Sequence, residues 1–104
     1  MSMTKFLDQD AASKIAQTFK GLGDATRLRL LSILFNGETC VSDLAEQTGI
    51  SQSAVSHQLR TLRSLGFVSN RRDGQKIYYS IDDEHIEGLF DLALAHSYHH
   101  EITN

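Results

Sequence analysis

Four of the five histidines crowd the C-terminal end of this chain, at His85, His96, His99 and His100, within sixteen residues. From Ile81 to Asn104 the formal charge is −6, with no Lys or Arg. Imidazoles and carboxylates are donors for a divalent cation, and without a thiolate they suit tetrahedral zinc or cobalt(II). Spacing limits how they can act. The segment from about residue 82 to 100 reads as a helix, capped by Asp82 or Asp83. At a rise of ~1.5 Å per residue, His85 and His96 lie roughly 16 Å apart. Ligand bonds of about 2 Å cannot bridge that gap. Two copies of the helix, antiparallel about a two-fold axis near residue 91, remove the difficulty. Asp83 and His85 of one copy then face His99 and His96 of the other. Residues 85, 89, 92, 96 and 99 fall on one helical face, with Leu89 and Leu92 between the histidines. That face reads as a seam between protomers. His100 also has ligand spacing from His96.

The rest of the charge lies elsewhere. From Ser51 to Ser80, Arg60, Arg63, Arg71, Arg72 and Lys76 stand against Asp73 alone, a local +4 within a chain of net −3. One region suits a polyanion and the other a cation.

Those two regions need elements to hold them. The 104 residues, 40% hydrophobic, fit one domain with a modest core. No apolar run reaches the ~18 residues of a membrane span, and Met1 to Gln9 lack the apolar stretch of a signal peptide. Cys40 has no cysteine to pair with in the chain, which fits a reducing compartment. A cytoplasmic protein is expected.

Residues 10–21 carry Ala12, Ile15, Ala16 and Phe19 at helical spacing. Asp24 caps a second helix, apolar nearly all round, that ends at Asn36-Gly37. Val41 to Thr48 form a short helix, and Gly49-Ile50 makes a tight turn. Ser51 caps a fourth helix from Gln52 to about Leu65, which buries Val55, Leu59 and Leu62. Residues 67–72 and 75–80 flank Asp73-Gly74, a hairpin signal. The order predicted is α-α-α-α-β-β-α, a mainly α winged helix-turn-helix with a terminal helix.

On the fourth helix Gln52, Ser53, Ser56 and His57 are small or amide-bearing groups able to reach base edges in a major groove. Arg60 and Arg63 suit phosphates. Arg71, Arg72, Gln75 and Lys76 surround the hairpin tip, where a wing meets DNA. A zinc hydrolase using the histidines is disfavoured, because ligands strung along a dimer seam leave little room for a substrate pocket. A metal-stapled dimerisation module would leave the basic helix and hairpin without a role.

Over nearly its full length the chain resembles the ArsR/SmtB family of metal-sensing repressors. Phe19-Lys20-Gly21-Leu22-Gly23-Asp24-Ala25-Thr26-Arg27-Leu28-Arg29 is similar to the family's opening motif. Glu38-Thr39-Cys40-Val41-Ser42-Asp43-Leu44 resembles its metal box, and Ser51 to Leu59 its recognition helix. Within the family the resemblance is to zinc sensors of the CzrA/SmtB type. It implies a winged-helix homodimer that binds a palindromic operator when metal-free and leaves it when Zn(II) binds, two ions per dimer. It also implies an Asp-x-His pair from one protomer and a His-x-x-His pair from the other, matched by Asp83, His85, His96 and His99. The second metal site of the family uses cysteines of the metal box. Here Ser42 replaces the second thiolate, and Met1 to Asp10 hold neither Cys nor His. An inducer other than zinc, either nickel or redox change at Cys40, is the alternative.

Overall fold

The computed structural model describes residues 6–103, and side chains from 6 to 99. Eight elements follow one another: α1 (Gln9–Leu22), α2 (Ala25–Leu34), β1 (Thr39–Cys40), α3 (Val41–Thr48), α4 (Gln52–Ser64), β2 (Val68–Asp73), β3 (Lys76–Ile81) and α5 (Ile86–Thr103).

Local chemistry sets most of the boundaries. The Asp8 carboxylate accepts from the Ala11 N–H to start α1, and Asp24 accepts from the Arg27 N–H to start α2. The Ser51 hydroxyl accepts from the Ala54 N–H at the start of α4, 3.2 Å away. Each cap satisfies a backbone donor that the first turn would leave orphaned. Gly49 ends α3 at φ 74°, a left-handed conformation that costs glycine little, so the chain can reverse into α4.

The core is a cluster of side chains from α2, α3, α4 and the sheet. Leu30, Leu31, Leu44, Val55, Leu59 and Leu62 are fully buried. Phe67, Val68, Tyr79 and Ile86 close it from the other side. Helix α4 is therefore anchored in the core by Val55, Leu59 and Leu62, three buried residues at helical spacing.

Three features differ from the sequence reading, one being the hairpin loop, which is Gly74-Gln75 and not Asp73-Gly74 because Asp73 ends β2 paired with Lys76. A third strand, β1, pairs antiparallel with β3 at Thr39↔Tyr79 and Cys40↔Tyr78, giving the sheet order β1-β3-β2. Two residues are too few to show an alternating pattern. The last helix also begins later than Asp82 or Asp83. The Asp83 carboxylate accepts from the His85 N–H at 2.7 Å and folds residues 82–85 into a turn. The His85 carbonyl accepts the first helical bond, from the Leu89 N–H. His85 thus stands at the N-cap position, with Ile86 as the first residue of α5.

The start of α5 packs into the core of its own chain, and Ala93, Leu94 and Ser97 further along line a groove with Leu28, Arg29 and Ser32 of α2. Ile86 is buried, Leu89 is half-buried, and Phe90 meets Phe35 edge-on at 5.1 Å between ring centroids. Every described side chain from Asp91 to His99 is exposed. The radius of gyration, 15.7 Å, exceeds the ~13 Å of a compact chain this size, as a projecting helix requires. No described helix is long and apolar enough to cross a membrane.

Candidate nucleic-acid interface and C-terminal metal centre

The polar face of α4 is open. Gln52, Ser53, His57, Arg60 and Arg63 are exposed and Ser56 is half-buried, opposite the buried Val55, Leu59 and Leu62. The N-terminal turn of α4 and the hairpin tip share one cleft, lined by Gln52 and Ser56 on one side and by Gln75, Lys76 and Ile77 on the other. Helix and wing therefore present a continuous polar and basic surface.

The hairpin register sorts the wing residues. Arg71 pairs with Tyr78, Arg72 with Ile77 and Asp73 with Lys76, which leaves Gly74 and Gln75 as a two-residue loop. Gly74 has φ 66° while Gln75 is not left-handed, the arrangement of a hairpin turn with glycine at its first central position. Side chains alternate across a strand. Arg72 and Ile77 thus share the face of Val68 and Tyr79, toward α4, whereas Arg71 and Tyr78 occupy the outer face.

On that outer face Arg71 is already engaged. Its Nε and Nη2 donate to the two Glu38 carboxylate oxygens, each at 2.8 Å, and the guanidinium lies over the Tyr78 ring at 4.7 Å. The hydrogen bonds from Arg71 hold the Glu38 carboxyl below its ordinary pKa, and those to Glu38 raise that of Arg71. Both directions say the pair stays ionised. Glu38 lies 33 residues from Arg71, so no local signal in the sequence points to it.

The C-terminal histidines fall into two groups. At the entry to α5, His85 Nδ1 lies 3.1 Å from Asp83 Oδ1, so imidazole and carboxylate already meet, with His85 largely exposed. Further along α5, His96 and His99 are exposed and three residues apart, on one side of the helix. The side chain of His100 lies outside the described residues. Of the face read from the sequence, Leu89 turns into the core and Leu92 stays 71% exposed.

Among the described residues, no three His, Cys, Asp or Glu of a single chain gather where they could hold a metal ion. Each end of α5 offers two donors of the right kind. Three imidazoles and a carboxylate fit a tetrahedral zinc or cobalt(II) ion only when ends from two protomers meet.

Cys40 is placed differently. It is 2% exposed, its Sγ is 3.3 Å from Ser42 Oγ, and it packs beneath the wing. Nothing there supplies a second thiolate. Cys40→Ser is expected to leave any metal response of DNA binding unchanged, and a metal titration of the DNA complex checks it. Loss of the response would move the sensing site to the metal box.

A three-helix core, a turn of three residues before an exposed polar helix, and a basic hairpin beside it define a winged helix-turn-helix DNA-binding protein. The comparisons agree with that class. Residues 24–70 match the bacterial regulatory protein, arsR family. The HTH-type transcriptional regulator NmtR of Mycobacterium tuberculosis is 50% identical over 93 residues, 89% of this chain and 78% of that protein. A transcriptional repressor SmtB homolog of Synechocystis sp. is 49% identical over 87 residues, 84% of this chain and 66% of the relative. Among solved structures, the AntR antimony-specific transcriptional repressor superposes with TM-score 0.87 at 32% identity, covering 97% of this chain and 92% of its own. A homodimeric winged helix-turn-helix DNA-binding domain from Mycobacterium bovis superposes with TM-score 0.78 at 34% identity, covering 94% and 93%. The chain belongs to the ArsR family of bacterial regulatory proteins; it is a transcriptional regulator and not an enzyme.

Proposed function

We propose that this ArsR-family protein is a metal-responsive repressor whose effector is Zn(II), with Co(II) as a substitute, bound at two symmetric sites between protomers. The observation that carries this reading is the pairing of Asp83 with His85 at one end of α5 and the exposure of His96 and His99 near its other end. Asp83 and His85 of one protomer, with the partner subunit's His96 and His99, would hold each ion. When bound, the ion supplies four directional bonds and two positive charges.

The homodimer explains the exposed apolar side chains. Leu92 is 71% exposed, Tyr98 59% and Phe19 59%, and Ile15 on α1 is also open. So much open apolar surface on two helices marks an interface. Two-fold packing of α5 and α1 buries it, and sets the distance between the two α4 helices. That distance must match successive major grooves of a palindromic operator.

The chain's own residues then work as a two-state device. In the metal-free dimer the two α4 helices sample the spacing that fits DNA. Drawing Asp83 and His85 toward the partner subunit's His96 and His99 favours another arrangement of the α5 pair, with a poorer groove fit. The ion therefore binds free dimer more tightly than DNA-bound dimer, and the coupling works equally in both directions.

On the DNA side, Gln52, Ser53, Ser56 and His57 read bases. Arg60, Arg63, Arg72, Gln75 and Lys76 hold the backbone, with Arg71 restrained by Glu38. Arg60→Ala and Arg72→Ala should each lower the slope of log affinity against log salt by about two, the loss of one phosphate contact from each protomer of the dimer. Arg71→Ala should leave the slope near that of the wild type. Salt titrations on a duplex selected by the wild-type protein from a random pool test this. Equal slope losses for Arg71 and Arg72 would contradict the division of the wing. Titrating the same complex with zinc, cobalt and nickel identifies the effective ion.

A further inference from the structure

Helix α1 and the recognition helix are fastened to each other at two points. At the first, Gly21 lies so close to the end of α4 that an added Cβ would come within 2.5 Å of Leu65 Cδ1 and 3.0 Å of Phe67 Cε2. At the second, the Arg27 guanidinium spans the gap. Its Nε donates to the Gly21 carbonyl at 2.8 Å and its Nη2 to the Lys20 carbonyl at 3.2 Å, two acceptors at the C-terminal end of α1. Its Nη1 donates to Gln58 Oε1 on α4 at 2.9 Å. The Arg27 side chain is only 15% exposed, and Asp24, the α2 cap, lies 3.9 Å away.

A charged donor in so sheltered a place gives stronger and more directional bonds than a surface one. The three groups it joins are not neighbours in function. The far face of α1 carries exposed Ile15 and Phe19, and α4 carries the base-reading face.

We infer that Arg27 and Gln58 form a positioning pair that transmits the protomer–protomer geometry held by α1 to the recognition helix, and so sets operator specificity. This rests on the reading that α1 is a dimer element and that α4 enters DNA. The Gln58 Oε1 acceptor is committed to Arg27. Removing that acceptor frees α4 to tilt against α1. A small tilt is tolerated on non-specific DNA, where phosphates dominate. On a two-half-site operator both helices must be in register at once.

The test compares a duplex selected by the wild-type dimer with a scrambled duplex of the same length, at one salt concentration. Gln58→Leu, near in size but without the acceptor, should lose about tenfold in the ratio of specific to non-specific affinity. Its affinity for the scrambled duplex and its dimer dissociation constant should not change. Gln58→Glu, which keeps an acceptor facing Arg27, should retain most of the ratio. Arg27→Lys, which also disturbs the bonds to α1, should lose at least as much as Gln58→Leu, and the double variant no more than Arg27→Lys alone, because the link to Gln58 is then already broken. If Arg27→Lys does not fold, as circular dichroism would show, the two Gln58 variants decide alone. An unchanged ratio in Gln58→Leu, or losses that add in the double variant, would overturn the inference. A wild-type protein that selects no duplex would instead overturn the DNA-binding geometry on which it rests.

Discussion

Replacing His96 by alanine will abolish zinc-driven release from DNA and leave metal-free binding intact. His96 is exposed and lies beyond the packed first turns of α5, so its loss leaves no cavity in the core. In the proposed site its imidazole is one of four donors, and the remaining three would not complete a closed tetrahedral site. Couplings between two ligands on one protein typically alter affinity by about 5–150-fold. In the variant that factor should fall to one, at both symmetric sites. Anisotropy of a labelled duplex, followed during zinc addition to wild type and variant, measures it. Normal release by His96→Ala would show that the donors lie elsewhere.

Leu92→Asp should turn the dimer into a monomer and remove operator binding with it. Leu92 is 71% exposed in the protomer, so the substitution costs the isolated fold little, and circular dichroism should be unchanged. In the dimer each leucine contributes about 2 kcal/mol when buried. Two-fold symmetry counts that loss twice, so the dissociation constant should rise by about a thousandfold. A carboxylate left without a partner in the seam adds to the cost. Sedimentation of the variant across a concentration series checks the assembly. A variant that remains dimeric at low concentration would place the interface off α5.

Most of the architecture is written in short-range chemistry. Asp24 and Ser51 act as caps in the structure as their positions suggest, and Leu59 and Leu62 are buried where the helical period puts them. The start of α5 was harder to read because Asp82, Asp83 and Glu84 all precede it. Asp83 bonds to the N–H only two residues on, which makes a turn and not a helix cap. The partner of Arg71 was hidden by distance along the chain, since only β1 pairing with β3 brings Glu38 to it. The Arg27–Gln58 bond was hidden for the same reason, at 31 residues apart. On α1 the apolar spacing of Ile15 and Phe19 was legible, but not what covers them, because a period shows that a face is apolar and not which chain it meets. The pairing of Asp83 with His85 is visible in one protomer, whereas the proposed junction with the partner subunit's His96 and His99 would belong to two.

The most direct measurement of the central claim is zinc affinity with and without DNA. The free dimer and the same dimer saturated with its selected duplex would each be titrated against a competing chelator. Negative linkage requires weaker zinc binding by the DNA-bound dimer, by the factor with which zinc weakens the DNA complex. Two ions per dimer should bind in both cases, and His96→Ala should lose the difference. Equal zinc affinity in the two states would contradict the account, however tightly the ion binds.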